Sequence, residues 1–552
     1  MNPSKLIYGI RTVKPNWDLK NKATGAAVLL VSVLFLSMGT RAQFRKNITL
    51  EGYLPYDTCL SALWGYTDES GREYAIVGTC KGTSVVDLNE PGNPKEVYFV
   101  PGPKSIWREV KTYKHYAYVV TEGGGGLTVI NLKNLPDTNL SYTKVKLVGA
   151  DTLRNGHTIW IDEKGKCFIY GATGYPGGGG CVILNLEPDP ANPTYFANIG
   201  WPYFHDGFVR NDTLYAAAIY EGYFGLFQIN DSTDIVFRAA QTTPGVFTHN
   251  AWPDDESKVL FVTDEVADGY VTAYDIADWG NIREISRIQM DPPGGETPHN
   301  VRYLNGWLPT AYYREGVVLI DAHRPENMVI TGYYDTFWPD TGSNFWGVWD
   351  AYPFFPSGRI IAGDRQNGLF VLNPDYVRAG YLEGTVTDTA TGNPLNGVDV
   401  FFSGLMPGQT LSTDILGTYK TGSPDSGLFL VSFVKAGYES KTRYVTLRPG
   451  EVTQLDVQLR PLGYVPPPPA GDFSDLAVWP VPADDRLEIL GIPFSVDEVK
   501  LTDMNGKTIF TQKVNEHPYL VLDTRFWAQG VYGLHFVAGK ELHTVKVTVV
   551  HP

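Results

Sequence analysis

Cysteine is scarce in this chain. Cys59, Cys80, Cys167 and Cys181 are the only four among 552 residues, too few for a disulfide-framed scaffold and without zinc-ribbon spacing. Charge is also sparse, 19% of residues against a usual ~25%. The 45 basic residues are outnumbered by 60 acidic ones, for a net charge of −15. Setting aside residues 1–42, which hold six basic residues and one acidic, lowers it to −20. A body this acidic lacks the Lys and Arg surplus that nucleic-acid phosphates need, and gives no electrostatic grip on anionic lipid. The one extended apolar run, Ala26–Met38, has 13 residues, short of the ~18–20 a membrane span needs. Three catalytic signatures are missing as well: no Gly-x-Ser-x-Gly elbow, no His-Glu-x-x-His and no phosphate loop. The glycine runs Gly123–Gly126 and Gly177–Gly180 precede strands and are not followed by Lys-Ser/Thr and a helix.

Present in quantity are 58 Gly, 38 Pro and 13% aromatic residues within 43% hydrophobic content. That composition excludes a disordered tail, a coiled coil and a collagen rod, and suits an extracellular all-β protein. The length calls for several domains. At the start, Lys5, Arg11, Lys14, Lys20 and Lys22 precede the apolar run, and Thr40-Arg41-Ala42 follows it ahead of Gln43. A basic region, an apolar stretch and a small-x-small site predict a secretory signal peptide over 1–42, with a membrane anchor disfavoured by length.

Residues 43–379 repeat. A glycine followed by a short apolar strand ending near Asn or Asp begins at Gly82, Gly126, Gly180, Gly225, Gly269, Gly316 and Gly368, at spacings of 44, 54, 45, 44, 47 and 52 residues. A period in the forties filled with short strands predicts four-stranded propeller blades, seven of them. Blade six shows its parts: His299–Leu304 as strand A, an Asn305-Gly306 hairpin turn, Trp307–Tyr312 as B, Gly316–Ala322 as C and Met328–Tyr333 as D. Blade seven lacks a D strand after Leu372, while Ile48–Leu54 reads as a D strand preceding blade one. Pairing the two would close the ring.

The Leu/Val-Val-Ile flavour of these C strands resembles the LVIVD-repeat propellers of the choice-of-anchor B family, which implies a secreted or surface propeller and no particular activity. Residues 380–460, with strands at Tyr381–Asp388 and Val398–Phe402 and turns such as Gly392-Asn-Pro, are similar to the carboxypeptidase-regulatory-like β-sandwich, a carbohydrate-binding-like fold. Such modules are spacers or stabilisers more often than sugar binders. Pro466–Pro469 make 461–472 a stiff linker. Residues 473–552 resemble a type A sorting domain of the type IX secretion system of Bacteroidota. The likeness rests on Trp479–Ala483, Leu487–Ile489, Val499–Asp503, Gly506-Lys507, Gly530–Tyr532 and Lys546–Val549, with Val481 where Asn is usual. It implies the secretion machinery as a partner. The fold expected is therefore all-β, a seven-bladed propeller followed by two small sandwiches.

The alternation of strand directions places the start of A and the B–C turn on one face of a propeller. His157, His205, His249 and His299 all fall at the start of A, with Ser61, Arg108 and Trp346 aligned in blades one, two and seven. Glu122, Glu221, Asp264 with Glu265, Arg314 and Asp364 fall in the B–C turns. Imidazole beside carboxylate suits a divalent metal, proton transfer or a polar ligand, protein or glycan. Equally, a repeat copies structural residues, and each His would then bond a neighbouring blade. Blades packed ~10 Å apart would keep four histidines from one ion at ~2.1 Å. The sequence therefore assigns no metal or other cofactor and no catalytic residue. It points to an exported binding or scaffold protein, with a metal-dependent hydrolase or lactonase as the alternative. Finally, folding blade one about its Asp68–Gly71 turn sets Cys59 opposite Cys80 and predicts a cross-strand disulfide, leaving Cys167 and Cys181 unbridged.

Overall fold

A computed structural model describes residues 45–148, 151–174, 178–290, 295–337, 345–405, 411–463, 473–493, 495–514 and 518–551. The expected signal peptide and most of the proline linker lie outside them.

Among the described residues, 45–374 form seven antiparallel four-stranded sheets, as the repeat requires. In blades one to five the strands follow chain order. Blade one, for example, runs Leu60–Thr67, Glu73–Thr79, Gly82–Asp87 and Lys95–Pro101. The B and C strands are almost wholly buried, because both faces of each blade meet a neighbour. Outer D strands such as Ser141–Val145 face solvent and are polar. This gradient explains why C strands carry the legible apolar signature.

Two blades depart from the simple pattern. In blade seven, Val348–Tyr352, Ile360–Asp364 and Gly368–Pro374 are completed by Ile48–Leu54 from the other end of the domain. The closure is anchored by buried Ile48 and by Arg359, which donates to both Glu51 oxygens at 2.7 and 3.2 Å. In blade six the sheet is B, C, D and a short fourth strand, Arg45–Lys46, paired outside D. The expected A strand, 299–304, is reduced to isolated bridges from Val301 and Leu304. Pro309 explains this. The Arg302 N–H donates to its carbonyl at 3.0 Å, but proline has no N–H to return the bond. The Asn305-Gly306 turn forms as expected, both residues at positive φ (48° and 86°), closed by reciprocal Leu304–Trp307 bonds.

Cys59 and Cys80 are disulfide-bonded with Cα atoms 5.4 Å apart, and Cys167 and Cys181 are buried and unbridged.

The second unit docks on blade six through polar groups rather than through a loose tether. Asn327 and Arg324 donate to Glu383 at 2.9 and 3.0 Å. The Ala379 N–H and Arg378 donate to buried Asp321, beside the apolar contact of Val329, Ala379 and Tyr381. Its strands make two facing sheets over a core that includes Leu382, Val400, Phe433 and Leu459. The C-terminal unit is also a two-sheet sandwich. Three strands (Ala477–Trp479, Arg486–Leu490, Tyr519–Asp523) face four (Thr508–Lys513, Glu498–Asp503, Gly530–Ala538, Glu541–Val549). Among the described residues no helix is long and apolar enough to cross a membrane.

Candidate functional site: the histidine ring of the central channel

The A strands line the channel, so equivalent positions in successive blades stack into rings. The outermost ring holds Ser61, Arg108, His157, His205, His249, His299 and Trp349. Blade seven contributes Trp349 and not the expected Trp346. The Trp349 carbonyl accepts from His299 Nδ1 and its ring lies 4.6 Å from that imidazole. Trp346 is three residues earlier, 41% exposed, and packs on Phe337.

The four imidazoles form a continuous stack with centroid separations of 4.1, 4.2 and 4.2 Å. The ~10 Å spacing expected from sheet packing does not hold here, because wedge-shaped blades converge at the axis. His157 Nε2 and His205 Nε2 are 2.7 Å apart. Glu122 accepts from His157 Nδ1 at 2.6 Å. The rings are not exposed: His157, His249 and His299 are 7, 2 and 2% accessible, and His205 is half-buried. Burial first, and neighbouring imidazoles second, push His205, His249 and His299 well below the ordinary histidine range, so these rings are neutral at physiological pH.

Of the carboxylates expected beside them, Glu122 and Glu265 are in place and Asp264 and Asp364 are not. Asp264 is turned into its own loop, where it accepts from Thr243, from the Gly245 N–H at 2.9 Å and from the Phe247 N–H at 3.2 Å. Asp364 does the same with Thr336 at 2.7 Å and with the N–H groups of Gln366 and Asn367. Both are loop anchors. Successive strand residues point to opposite sides, and the residue after each anchor is the one that faces the channel. Glu265 lies 3.7 Å from both His249 Nε2 and His299 Nε2 and accepts from the Tyr313 hydroxyl. The Arg365 guanidinium stacks 4.7 Å over Trp349. Burial pushes the Glu265 carboxyl up to about 7, with Tyr313 and Arg365 pulling back. Arg108 is held under Ser61, its N–H donating to Ser61 Oγ at 2.9 Å and its side chain to the Thr79 and Pro103 carbonyls. Glu221 and Arg314 are partly buried in their turns, and no contact joins either to the imidazoles.

Below this ring lies a second, polar ring. Asn250 donates to Asp206 at 2.6 Å, and Asn300 and Arg302 donate to Asp350 at 3.1 and 2.9 Å. Glu109 and Lys111 form a buried ion pair. Deeper still, Trp64, Trp160, Phe208 and Trp252 form an aromatic plug, with Lys111 and Arg302 against its faces. The space left between the rings is about 20 Å³, room for a water or an ion and not for a sugar or peptide. Sequence reasoning missed this ladder. The alternating signal was there, since Glu109, Asp206, Asn250, Asn300 and Asp350 each follow a first-ring residue.

Around the channel mouth, the D–A loops and B–C turns expose large apolar side chains: Trp107, Trp201, Tyr220, Val246, Phe345 and Trp346 are each 38–76% accessible. Trp107 and Tyr203 both approach His157, with ring centroids 6.5 Å away. Tyr203 continues to Tyr220 at 5.1 Å, and Phe345 reaches the histidines through Tyr313.

Comparison with protein-family models matches residues 381–460 to the carboxypeptidase regulatory-like domain and residues 477–550 to the secretion system C-terminal sorting domain. The chain is an exported protein. That tail is the address of the type IX route and places the protein at the cell surface or in the medium, with the secretion machinery as a partner. Among solved structures the fold is similar to that of a candidate 6-phosphogluconolactonase from Bacteroides uniformis. Identity is 14% and the TM-score 0.38, over 49% of this chain and 83% of that one. No curated protein matches.

Proposed function

We propose that this exported protein is a binding propeller of the LVIVD-repeat kind from a Bacteroidota cell, taking a glycan or protein ligand at the aromatic-rimmed mouth of its channel. The observation that carries this is the rim itself. Water-exposed Trp, Tyr and Phe crowd the one face that also presents Glu122 and the histidine ring, and an apolar patch of that kind marks an interaction site. The narrow space below the histidine ring, about 20 Å³, keeps a ligand larger than water at the mouth on this face. The sandwich at 381–460 serves as a rigid spacer in this reading, since its contacts with blade six use polar groups on both sides.

The test is to screen the propeller against surface polysaccharides and proteins of its own cell and its surroundings. Changing Trp107 and Trp346 to Ala should then lower affinity at least about tenfold, as loss of hot-spot aromatics does, while the melting temperature stays nearly unchanged. Equal binding by parent and variant would remove the rim from the reading.

Processing supplies a second check. The mature chain should begin at Gln43 and lose its C-terminal domain near 461–472 on secretion. Intact-mass measurement of culture supernatant should show both cuts; a secreted chain still carrying 473–552 would contradict the second.

A metal-dependent hydrolase is the second reading, favoured by one feature. Glu265, poised near neutrality beside two imidazoles, has the protonation range of a general acid or base.

A further inference from the structure

The histidine ring has more lone pairs than it has protons to share among them. His299 Nδ1 faces the Trp349 carbonyl, which can only accept, so Nδ1 carries the proton and Nε2 is bare. That Nε2 is buried, has no hydrogen-bond partner and lies 3.7 Å from a Glu265 oxygen. The other Glu265 oxygen lies 3.7 Å from His249 Nε2. On His157, the Glu122 carboxylate holds the proton on Nδ1, so its Nε2 lone pair accepts from His205 Nε2 at 2.7 Å, which leaves His205 Nδ1 bare, buried and without a partner. A carboxylate set against imidazole lone pairs repels them unless a proton, a bridging water or a cation lies between. One donor atom each from His205, His249 and Glu265 lies within 4.8 Å of the others.

We propose that His205, His249 and Glu265 bind one divalent first-row transition ion, with His299 supplying a further imidazole. Two or three imidazoles with one carboxylate form a donor set that zinc, iron and copper accept and that magnesium and calcium do not favour. An ion with ligands at ~2.1 Å keeps its donors ~3.4 Å apart, close to the 3.7 Å between Glu265 and each neighbouring Nε2. The outer contacts are those that metal ligands show: the Trp349 carbonyl on His299 Nδ1, and Tyr313 on Glu265. This site lies beneath the aromatic rim and does not depend on what the rim binds.

The full exported chain, equilibrated with zinc and freed of excess by gel filtration, should retain about one ion per molecule. Cobalt in its place should give the visible absorption of low-coordinate nitrogen–oxygen ligation. His249→Gln with Glu265→Gln should reduce retained zinc more than about tenfold, whereas His115→Gln, on the opposite face, should retain it. A chelator should lower the melting temperature of the loaded parent, which keeps the test valid if the double variant fails to fold. A parent holding less than about a tenth of an equivalent, with no chelator effect, overturns the proposal, as does a folded double variant that keeps its zinc. Rim binding measured on the same samples separates failure of this site from failure of the binding reading.

Discussion

Removing Ile48–Leu54 should turn a soluble propeller into an aggregating one. Six positions of that segment pair with the C strand of blade seven, from Ile48 with Pro374 to Leu54 with Leu369. Its loss strips the outer strand from a sheet that is otherwise buried. Ile48 is 1% accessible and packs with Phe370 and Leu372, and Glu51 neutralises Arg359. The truncated chain would present an unpaired, apolar strand edge, the template for edge-to-edge association. It would also lose the contact that ties the first residues of the domain to the last. The expected readouts are high-molecular-weight material on size exclusion and loss of a single cooperative melt. A truncated chain that stays monomeric and melts like the parent would mean that the ring does not depend on this strand.

Replacing Asp350 with Ala should destabilise the propeller by about 3–5 kcal/mol, a third or more of the stability of a typical domain. Asp350 is 1% accessible and accepts from Arg302 at 2.9 Å, Asn300 at 3.1 Å and the Leu63 N–H at 3.4 Å. It thereby ties blades six, seven and one together. Without it the Arg302 guanidinium, 3% accessible, remains charged among Trp64 and Trp252 with no counter-ion. Adding Arg302→Met should recover part of the loss, because the buried charge goes while Asn300 and Leu63 still lack their acceptor. Denaturant melts of the two variants check this. A single variant within about 1 kcal/mol of the parent would show that the channel network is solvated enough to do without its anion.

Short-range features of this protein are legible in its sequence because local chemistry dictates them. The Asn305-Gly306 turn needs two positive φ angles, the buried C strands need unbroken apolar runs, and a missing strand at one end is matched by a spare one at the other. Six of the seven mouth positions, Ser61, Arg108 and the four histidines, are legible for the same reason, since a repeat puts equivalent positions at like places. Where repeat alignment slips, it slips by small steps that reverse a side chain or move it along the loop. It points Asp364 at the channel, whereas its neighbour Arg365 faces the axis; it names Asp264 with Glu265, of which only Glu265 reaches the imidazoles; and it selects Trp346 in place of Trp349. Blade six loses its regular A strand to Pro309, a residue whose effect depends on which edge its missing N–H faces.

The tertiary structure alone decided the distances. Sheets stack about 10 Å apart across most of a blade, and on that figure four histidines remain separate. Convergence of seven wedges on one axis brings their rings to 4.1–4.2 Å, holds His205, His249 and His299 well below the ordinary histidine range and sets Glu265 beside His249 and His299. Sequence determines which residue occupies each repeat position. How closely those positions approach depends on how many blades close the ring and where the axis runs, a long-range property that no local pattern encodes.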